Sequence, residues 1–462
     1  MHTLLWILIV IAALFLISRL SKKLFKTDIY LGILIMIRTK KYIKYLDRLA
    51  KPKKLLNCLA DIGIVIGFGA FGLDYLFKDK IKSIPKRVLL FIVATIVFGV
   101  LTYFGTKGLL GNNPLLSGGA LIFLVVLTGL MGFSGFTVGS LIFSAYDIVV
   151  KLFAGTAGSA CPGVGLVIPG VKMPKVNIFI PWYGWIILIV SAIVHEFAHG
   201  ALLRSIKAKV KSMGFILATI LPLGAFVEPD DKELQRKNKK SIIRMYSAGP
   251  MSNVILAAIF LIILLILSPI VSNYSYSIAV QKEDAIIVHS VQETTEICGT
   301  TYDSPAYGVL QPNDQILKIN NTEIRNQQDL HRATKLSEEN KFIVMNLDTN
   351  KEKIVYLTPN EMGRLGFTSN IISDPDFKIP RKYYFLKTLF SVILWTALLN
   401  FIIAIVNYLP TFPFDGGAMS QIIFSGYLHK RKSEKERMKR IAKFFGTIIV
   451  LLLLLNVIPY FF

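Results

Sequence analysis

Two histidines and a glutamate lie within five residues of one another in an apolar run. The stretch SAIVHEFAHGALLRSIKAKV, residues 191–210, contains His195, Glu196 and His199. Residues four apart share one face of an α-helix, so both imidazoles can reach a single Zn²⁺ ion. Glu196 lies about 100° around that helix, near enough to take a proton from an attacking water without being a ligand. The pattern predicts a metal centre with Glu196 as general base.

A catalytic zinc normally takes three protein ligands, so another part of the chain must supply the third. Asp415 in NYLPTFPFDGGAMSQ, residues 407–421, is the better candidate. Two prolines end regular helix there, and the glycines after the aspartate let the backbone approach closely. Glu228 is the rival, but its surroundings, VEPDDKE, are typical of a solvated charged loop.

Other functions remain open at this point. Ionisable groups inside a membrane helix also mark proton and ion pathways, so a transporter or channel with a His195–Glu196 proton relay is the alternative. A catalytically silent scaffold is a third hypothesis. Two of only six histidines fall at the spacing of a metal pair, which favours zinc over a relay.

The composition is that of a polytopic α-helical membrane protein. The chain has 462 residues, 53% of them hydrophobic, and a mean hydropathy of +0.56, too apolar for a soluble enzyme. Runs that approach the roughly 20 residues of a membrane-spanning helix indicate about eight spans. The first has no basic residue before it and no cleavage site after it, so we expect a retained anchor. The runs are 3–20, 57–77, 87–108, 118–147, 183–205, 242–268, 384–409 and 441–461.

The formal charge of +23 comes from lysines and arginines beside apolar runs, as in RTKKYIKYLDRLAKPKK and HKRKSEKERMKR. This placement follows the positive-inside rule and argues against nucleic acid as a partner. Taking basic loops as cytoplasmic puts the metal centre near the cytoplasmic face of the cell membrane. Loop 78–87 disagrees, because it would be outside despite five basic residues. The three cysteines, Cys58, Cys161 and Cys298, have no metal-ligand spacing.

A polar segment with short β-like runs, such as AIIVHSV and KFIVMNL, separates the later spans. Its part 304–330 resembles a PDZ domain, with Asn313-Asp314 where Gly-Asp is usual. PDZ domains bind extended peptides at a sheet edge. We expect an extracytoplasmic PDZ-like domain that contacts peptides or ectodomains, with a generic β-rich domain as the alternative.

The chain thus divides into four predicted regions. Segment 211–228, broken by Gly and Pro, is expected to form a hairpin or re-entrant piece within the second region. The first span after the basic segment, 57–77, carries two aspartates and is also a candidate re-entrant element. The regions are 1–150, N-terminal transmembrane with a basic cytoplasmic segment 19–56; 151–274, first part of a catalytic core; 275–378, PDZ-like; and 379–462, second part of the core with the Asp-Gly motif and last span.

HEFAHG, SAGPMSN (247–253) and NYLPTFPFDGG resemble, in this order, the three motifs of the site-2 protease family of intramembrane zinc metalloproteases. A PDZ-like insert between the second and third motifs is common in that family. The resemblance implies one zinc ion per chain held by His195, His199 and Asp415, with Glu196 as general base. It also implies a role near the site for Asn253 and Asn407.

The same resemblance implies cleavage of a transmembrane segment of a membrane protein, in regulated intramembrane proteolysis. A helical substrate offers no free carbonyls, because its backbone is internally hydrogen-bonded, so it must unwind locally. A strand edge would capture the extended peptide, and 31–41 or 213–227 could supply one. Water must reach the site through a polar channel from the cytoplasmic face.

Overall fold

The computed structural model describes residues 28–30, 34–110, 119–156, 160, 162–165, 167–172, 178–218, 221–282, 284–297, 300–336, 338–360, 363–374, 376–428 and 433–461. Within these residues, seven helices are long and apolar enough to cross a membrane. The predicted span 3–20, Cys161 and Cys298 lie outside the described residues. The chain is a helical membrane protein with a separate β-rich region.

The helices follow the apolar runs of the sequence, with one marked difference. The predicted span 242–268 belongs to a helix that continues to Gln281, so this helix passes the predicted boundary at 274. Hydropathy detects only its apolar part, whereas the following SNYSYSIAVQ can remain helical in a polar environment. The helices are α1 Ile43–Leu49, α2 Lys53–Phe77, α3 Ile84–Leu110, α4 Gly119–Phe153, α5 Gly184–Ser205, α6 Asp231–Gln235, α7 Lys239–Gln281, α8 Gln327–Ala333, α9 Arg381–Asn407, α10 Asp415–Phe424 and α11 Glu434–Val457, followed by a 3₁₀ turn at Ile458–Phe461.

Helices α2 and α4 are each broken in the middle. The breaks fall at Gly69 (φ 52°) and Gly132 (φ 55°), in the left-handed region where glycine is favoured. A Cβ on Gly69 would collide with backbone atoms of Gly129 and Gly132, so the two breaks pack directly on each other. The predicted span 57–77 is therefore a bent helix.

The two aspartates of α2 both pair with arginines. Asp61 accepts two hydrogen bonds from Arg244 of α7, at 2.7 and 2.5 Å. Asp74 is held by Arg87 of α3, with the shortest N···O distance at 2.7 Å. These bidentate pairs tie α2 to its neighbours on both sides of the bend.

A four-stranded antiparallel sheet lies beside α5. Its strands are β1 Asp28–Tyr30, β2 Leu34–Thr39, β3 Val210–Ala218 and β4 Leu221–Pro229, in that order. The described residues of segment 211–228 thus lie in two antiparallel strands, the β3–β4 hairpin. Strand β2, from the apolar run 31–41, is paired on both sides, whereas β4 pairs only with β3 among the described residues.

The β-rich region has its own core and follows α7. Its main sheet has the order β11-β10-β8-β5-β12, with α8 packed nearby. Arg332 of α8 donates to the hydroxyl of Ser272 on α7 at 2.7 Å, which links this region to the membrane helices. The strands are β5 Ala285–Val291, β6 Thr294–Ile297, β7 Thr300–Asp303, β8 Asp314–Ile319, β9 Thr322–Glu323, β10 Asn340–Asn346, β11 Lys351–Leu357 and β12 Phe367–Ile372. Fully buried core side chains include Ile286, Val288, Ile316, Ile319, Phe342 and Val344.

Candidate active site

Three side chains from two distant parts of the chain converge on one point. His195 and His199 lie one turn apart on α5, and Asp415 is the first residue of α10. The Oδ2 atom of Asp415 lies 3.0 Å from His195 Nε2 and 3.1 Å from His199 Nε2. The two Nε2 atoms are 3.2 Å apart. All three predicted ligand side chains are thus brought together, although His199 and Asp415 are 216 residues apart.

The other ring nitrogens fix the orientation of both imidazoles. His195 Nδ1 lies 2.6 Å from the side-chain oxygen of Asn253, and His199 Nδ1 lies 2.7 Å from the backbone carbonyl of Met245. Both partners are acceptors, so each Nδ1 carries a proton and donates it. A neutral imidazole then presents the lone pair of its Nε2, which here faces Asp415.

A chain of amides sets the orientation of Asn253 itself. Its side-chain nitrogen donates to the side-chain oxygen of Asn400 at 2.8 Å. Asn400 in turn donates to the backbone carbonyl of Thr396 at 2.9 Å. Because the Thr396 carbonyl can only accept, the Asn400 nitrogen must face it and the Asn400 oxygen must face Asn253. The Asn253 nitrogen therefore points to Asn400, and its oxygen points to His195. Sequence analysis missed Asn400, whose one signal was an amide within an apolar helix.

The converging atoms fit a bound cation. Two imidazole lone pairs and a carboxylate oxygen face one another, which is unfavourable unless a positive charge lies between them. Ligand atoms around a tetrahedral zinc ion lie about 3.3 Å apart, close to the 3.0–3.2 Å measured between these atoms.

Gly249 provides the space beside this cluster. A Cβ at position 249 would collide with the Nε2 atoms of both His195 and His199. The glycine of SAGPMSN therefore leaves room where the nitrogen lone pairs meet. Any other residue would place a methyl or larger group in that space.

Glu196 lies next to the cluster and contacts the neighbouring sheet. Its carboxylate accepts a hydrogen bond from the backbone N–H of Val227 on β4, at 2.8 Å. One ligand-type atom each from His195, Glu196 and His199 all lie within 4.8 Å of one another. Glu196 is thus held by a strand edge beside the converging nitrogens.

A groove of about 440 Å³ gives access to these residues between α5, α9 and the β3–β4 hairpin. Its lining includes His195, Glu196, Gly224 and Asn407. The side-chain nitrogen of Asn407 donates to the Ile403 carbonyl of its own helix at 2.9 Å. Asn253 contacts His195, whereas Asn407 lines the groove.

The rival ligand Glu228 is engaged elsewhere. It accepts a hydrogen bond from the Ser212 hydroxyl at 2.6 Å and lies 3.8 Å from Arg38 Nε. These contacts bind Glu228 across the sheet to β2 and β3. The converging nitrogens meet Asp415 instead.

This protein thus combines helices that can cross a membrane with a His-Glu-His cluster that could hold a metal ion. These features define a class of helical membrane proteins with a candidate metal centre. Within that class, a profile of peptidase family M50 matches residues 183–453, more than half of the chain. The chain therefore belongs to peptidase family M50, the site-2 protease family. The matched range contains all the residues that converge at the site.

A curated protein of Methanocaldococcus jannaschii, Uncharacterized protein MJ0971, is 32% identical to this chain over 275 residues. That alignment covers 58% of this chain and 63% of the relative. The chain thus matches less than two thirds of the relative's length.

Proposed function

We propose that this protein is an intramembrane zinc metalloendopeptidase in which His195, His199 and Asp415 hold one zinc ion. The substrate is a transmembrane segment of a membrane protein, cleaved in regulated intramembrane proteolysis. The observation that carries the proposal is the convergence of two oriented imidazole nitrogens and a carboxylate within 3.0–3.2 Å of one another. Such a set of acceptors suits a divalent cation.

With zinc bound, the site gains a Lewis acid that polarises the scissile carbonyl and makes water nucleophilic near neutral pH. Glu196 takes the proton of the attacking water and passes it to the leaving amine. Asn407 lines the groove and donates a hydrogen bond to the developing oxyanion. Asn253 is already bonded to His195 and Asn400, so we assign it a positioning role.

The edge of β4 captures the unwound substrate. Its Val227 N–H already donates to Glu196, so this edge faces the catalytic carboxylate. A peptide added there would run along the groove past His195 and Asn407. Strand β2 is unsuitable because both of its edges are paired.

The site lies near the cytoplasmic face and the β-rich region outside. Helix α7 connects the site to the β-rich region. Its residue Asn253 lies at the site, and its last residue, Gln281, lies just before β5. Between these residues a helix rises about 42 Å, more than the roughly 30 Å of a hydrocarbon core. This separation favours opposite sides of the bilayer, and the basic segment after α5 favours the cytoplasm for the site.

The β-rich region is a PDZ-like peptide-binding domain. Among the described residues, β12 is the last strand at one end of its sheet, and Gln327 at the start of α8 donates to the Ser369 hydroxyl of β12 at 3.3 Å. A strand edge beside a helix is the arrangement that can add an extended peptide. Its partners are peptides or ectodomains near the membrane.

Glu196→Gln provides the direct test. Loss of the general base should lower cleavage of a single-span test protein about 100- to 10,000-fold, with about one zinc ion per chain retained. Glu228→Gln is the matched control and should cleave like the wild type. Cleavage by Glu196→Gln at the wild-type rate would overturn the assignment. So would active wild-type protein that contains less than about one zinc ion per chain, because the alternative, a proton relay, requires no zinc.

A further inference from the structure

A second cavity adjoins the catalytic groove on the other side of Glu196. It measures about 260 Å³ and lies between the sheet and α5. Glu196, Phe215 and Ala225 line both the cavity and the groove. The two spaces therefore meet at the proposed general base.

The walls of this cavity are largely apolar. Ile193 and Phe197 come from α5, and Met213, Phe215 and Phe226 come from the hairpin. Thr39, Tyr42 and Glu196 complete its lining with polar groups. A cavity of about 150 Å³ lined by such side chains is large enough for a benzene ring. The larger space beside Glu196 thus suits a phenyl or branched aliphatic side chain and not a charged one.

A small residue keeps the connection open. Ala225 lies opposite Phe215 in the β3–β4 register, at the boundary between cavity and groove. A Cβ on the adjacent Gly224 would meet no atom within 4 Å, so the groove is also open there. Leucine at position 225 would extend into the passage between the two spaces.

We propose that this cavity is a specificity subsite, which receives a large apolar side chain of the substrate next to the scissile bond. The assignment rests on the proposed protease function and names the residue that the enzyme prefers. A peptide added to the β4 edge alternates its side chains between the two faces of the sheet. A side chain on the α5-facing side, beside Ala225, enters the cavity while its backbone stays beside Glu196.

The test uses single-span proteins with one leucine–alanine transmembrane segment, interrupted by Gly and Pro so that it can unwind. The scissile bond is mapped by mass spectrometry, and each neighbouring position is then occupied by Phe, Leu, Ala or Asp. With zinc-loaded full-length enzyme, one position should prefer Phe or Leu over Ala by about tenfold or more in kcat/KM. Asp at that position should be the poorest of the four.

Ala225→Leu should reduce that preference about tenfold, chiefly by slowing cleavage of the Phe and Leu substrates. Ala192→Leu is the matched control, because Ala192 lines the groove but not the cavity. It should slow all four substrates alike. Ala225→Val serves the same purpose if the leucine variant does not retain zinc.

Three outcomes would overturn the subsite. The preference for Phe or Leu could be unchanged in Ala225→Leu, that variant could lose the same fraction of kcat/KM with all four substrates, or the wild type could show no position with a preference. Those outcomes would leave the protease assignment intact, since cleavage itself would still occur. By contrast, zinc-loaded wild type that cleaves none of the proteins would contradict the proposed function.

Discussion

Two sets of ionisable groups on or beside the membrane helices differ in how their charge is compensated. In the arginine pairs, Asp61–Arg244 and Asp74–Arg87, each carboxylate meets a guanidinium in bidentate geometry. In the acceptor cluster, formed by His195 Nε2, His199 Nε2 and Asp415 Oδ2, three acceptors face one another. The arginine pairs have their charges compensated within the protein, whereas the acceptor cluster offers a place that a cation could occupy.

The difference separates structural from functional charge in a membrane protein. Ionisable groups in membrane helices are costly wherever they occur, so their presence does not identify a site. The arrangement of donors and acceptors does, because an arginine pair satisfies both partners and needs no ligand. The cluster, with its Nδ1 atoms already bonded, leaves only acceptor capacity for a ligand.

The largest effect is expected for removal of a cluster acceptor. Asp415→Ala should weaken zinc binding more than about 100-fold. Loss of a residue that only hydrogen-bonds a zinc ligand typically weakens binding by about 10- to 100-fold. Asp61→Ala should leave zinc per chain unchanged. Metal analysis of purified protein during titration with a chelator measures both. Normal zinc affinity in Asp415→Ala would remove the distinction between the two sets.

Breaking an arginine pair should instead lower stability. Asp61→Ala leaves Arg244 without its carboxylate and should reduce the free energy of unfolding by about 2 kcal/mol. This is less than for a fully buried pair because the Asp61 side chain is 29% exposed. Unfolding in detergent by urea measures the change. Glu323→Ala breaks the more exposed pair with Lys318 and should change stability by less than about 1 kcal/mol. Equal losses in both variants would contradict a structural role for Asp61.

The amide chain should sharpen the comparison through zinc affinity. Asn253→Leu removes the acceptor that orients His195, so zinc should bind about 10-fold more weakly. Asn400→Leu should have a smaller effect in the same direction, because it acts through Asn253. Chelator competition on folded protein reports both affinities. A larger loss of zinc affinity in Asn400→Leu than in Asn253→Leu would show that Asn400 does not act on His195 through Asn253.

The smallest effect is expected at the rival carboxylate. Glu228→Gln should leave zinc content and affinity at the wild-type level, because Glu228 is bonded to Ser212 within the sheet. Metal analysis of the variant checks this directly. Loss of zinc in Glu228→Gln would indicate that Glu228, and not Asp415, is the third zinc ligand.

Different features of the sequence had different predictive value. The pairing of His195 with His199 followed from helical periodicity, which acts within one turn and needs no other part of the chain. Asp415 was favoured because prolines end regular helix before it and glycines after it allow a close backbone approach. These are local signals, which do not specify contact with the histidines. The bounds of α7 were not predictable, since hydropathy does not detect the polar helical turns that lead to Gln281.

Several site contacts had no local signal. Asn400 and the Met245 carbonyl lie on helices that the spacing of the histidines cannot specify. The apolar run 31–41 could have formed a free edge or an interior strand, and only its pairing with β1 and β3 decided between them. Alternating side chains describe a strand but do not identify its neighbours.

The sequence by itself determined the membrane character, the spacing of His195 and His199 on one helix face and the adjacent position of Glu196, because hydropathy and helical spacing are local properties. Tertiary structure alone decided which nitrogen of each histidine faces Asp415, which strand edge meets Glu196 and which cavity adjoins it. These features depend on hydrogen-bond partners and packing surfaces from distant segments. Only the folded chain brings those segments within contact distance.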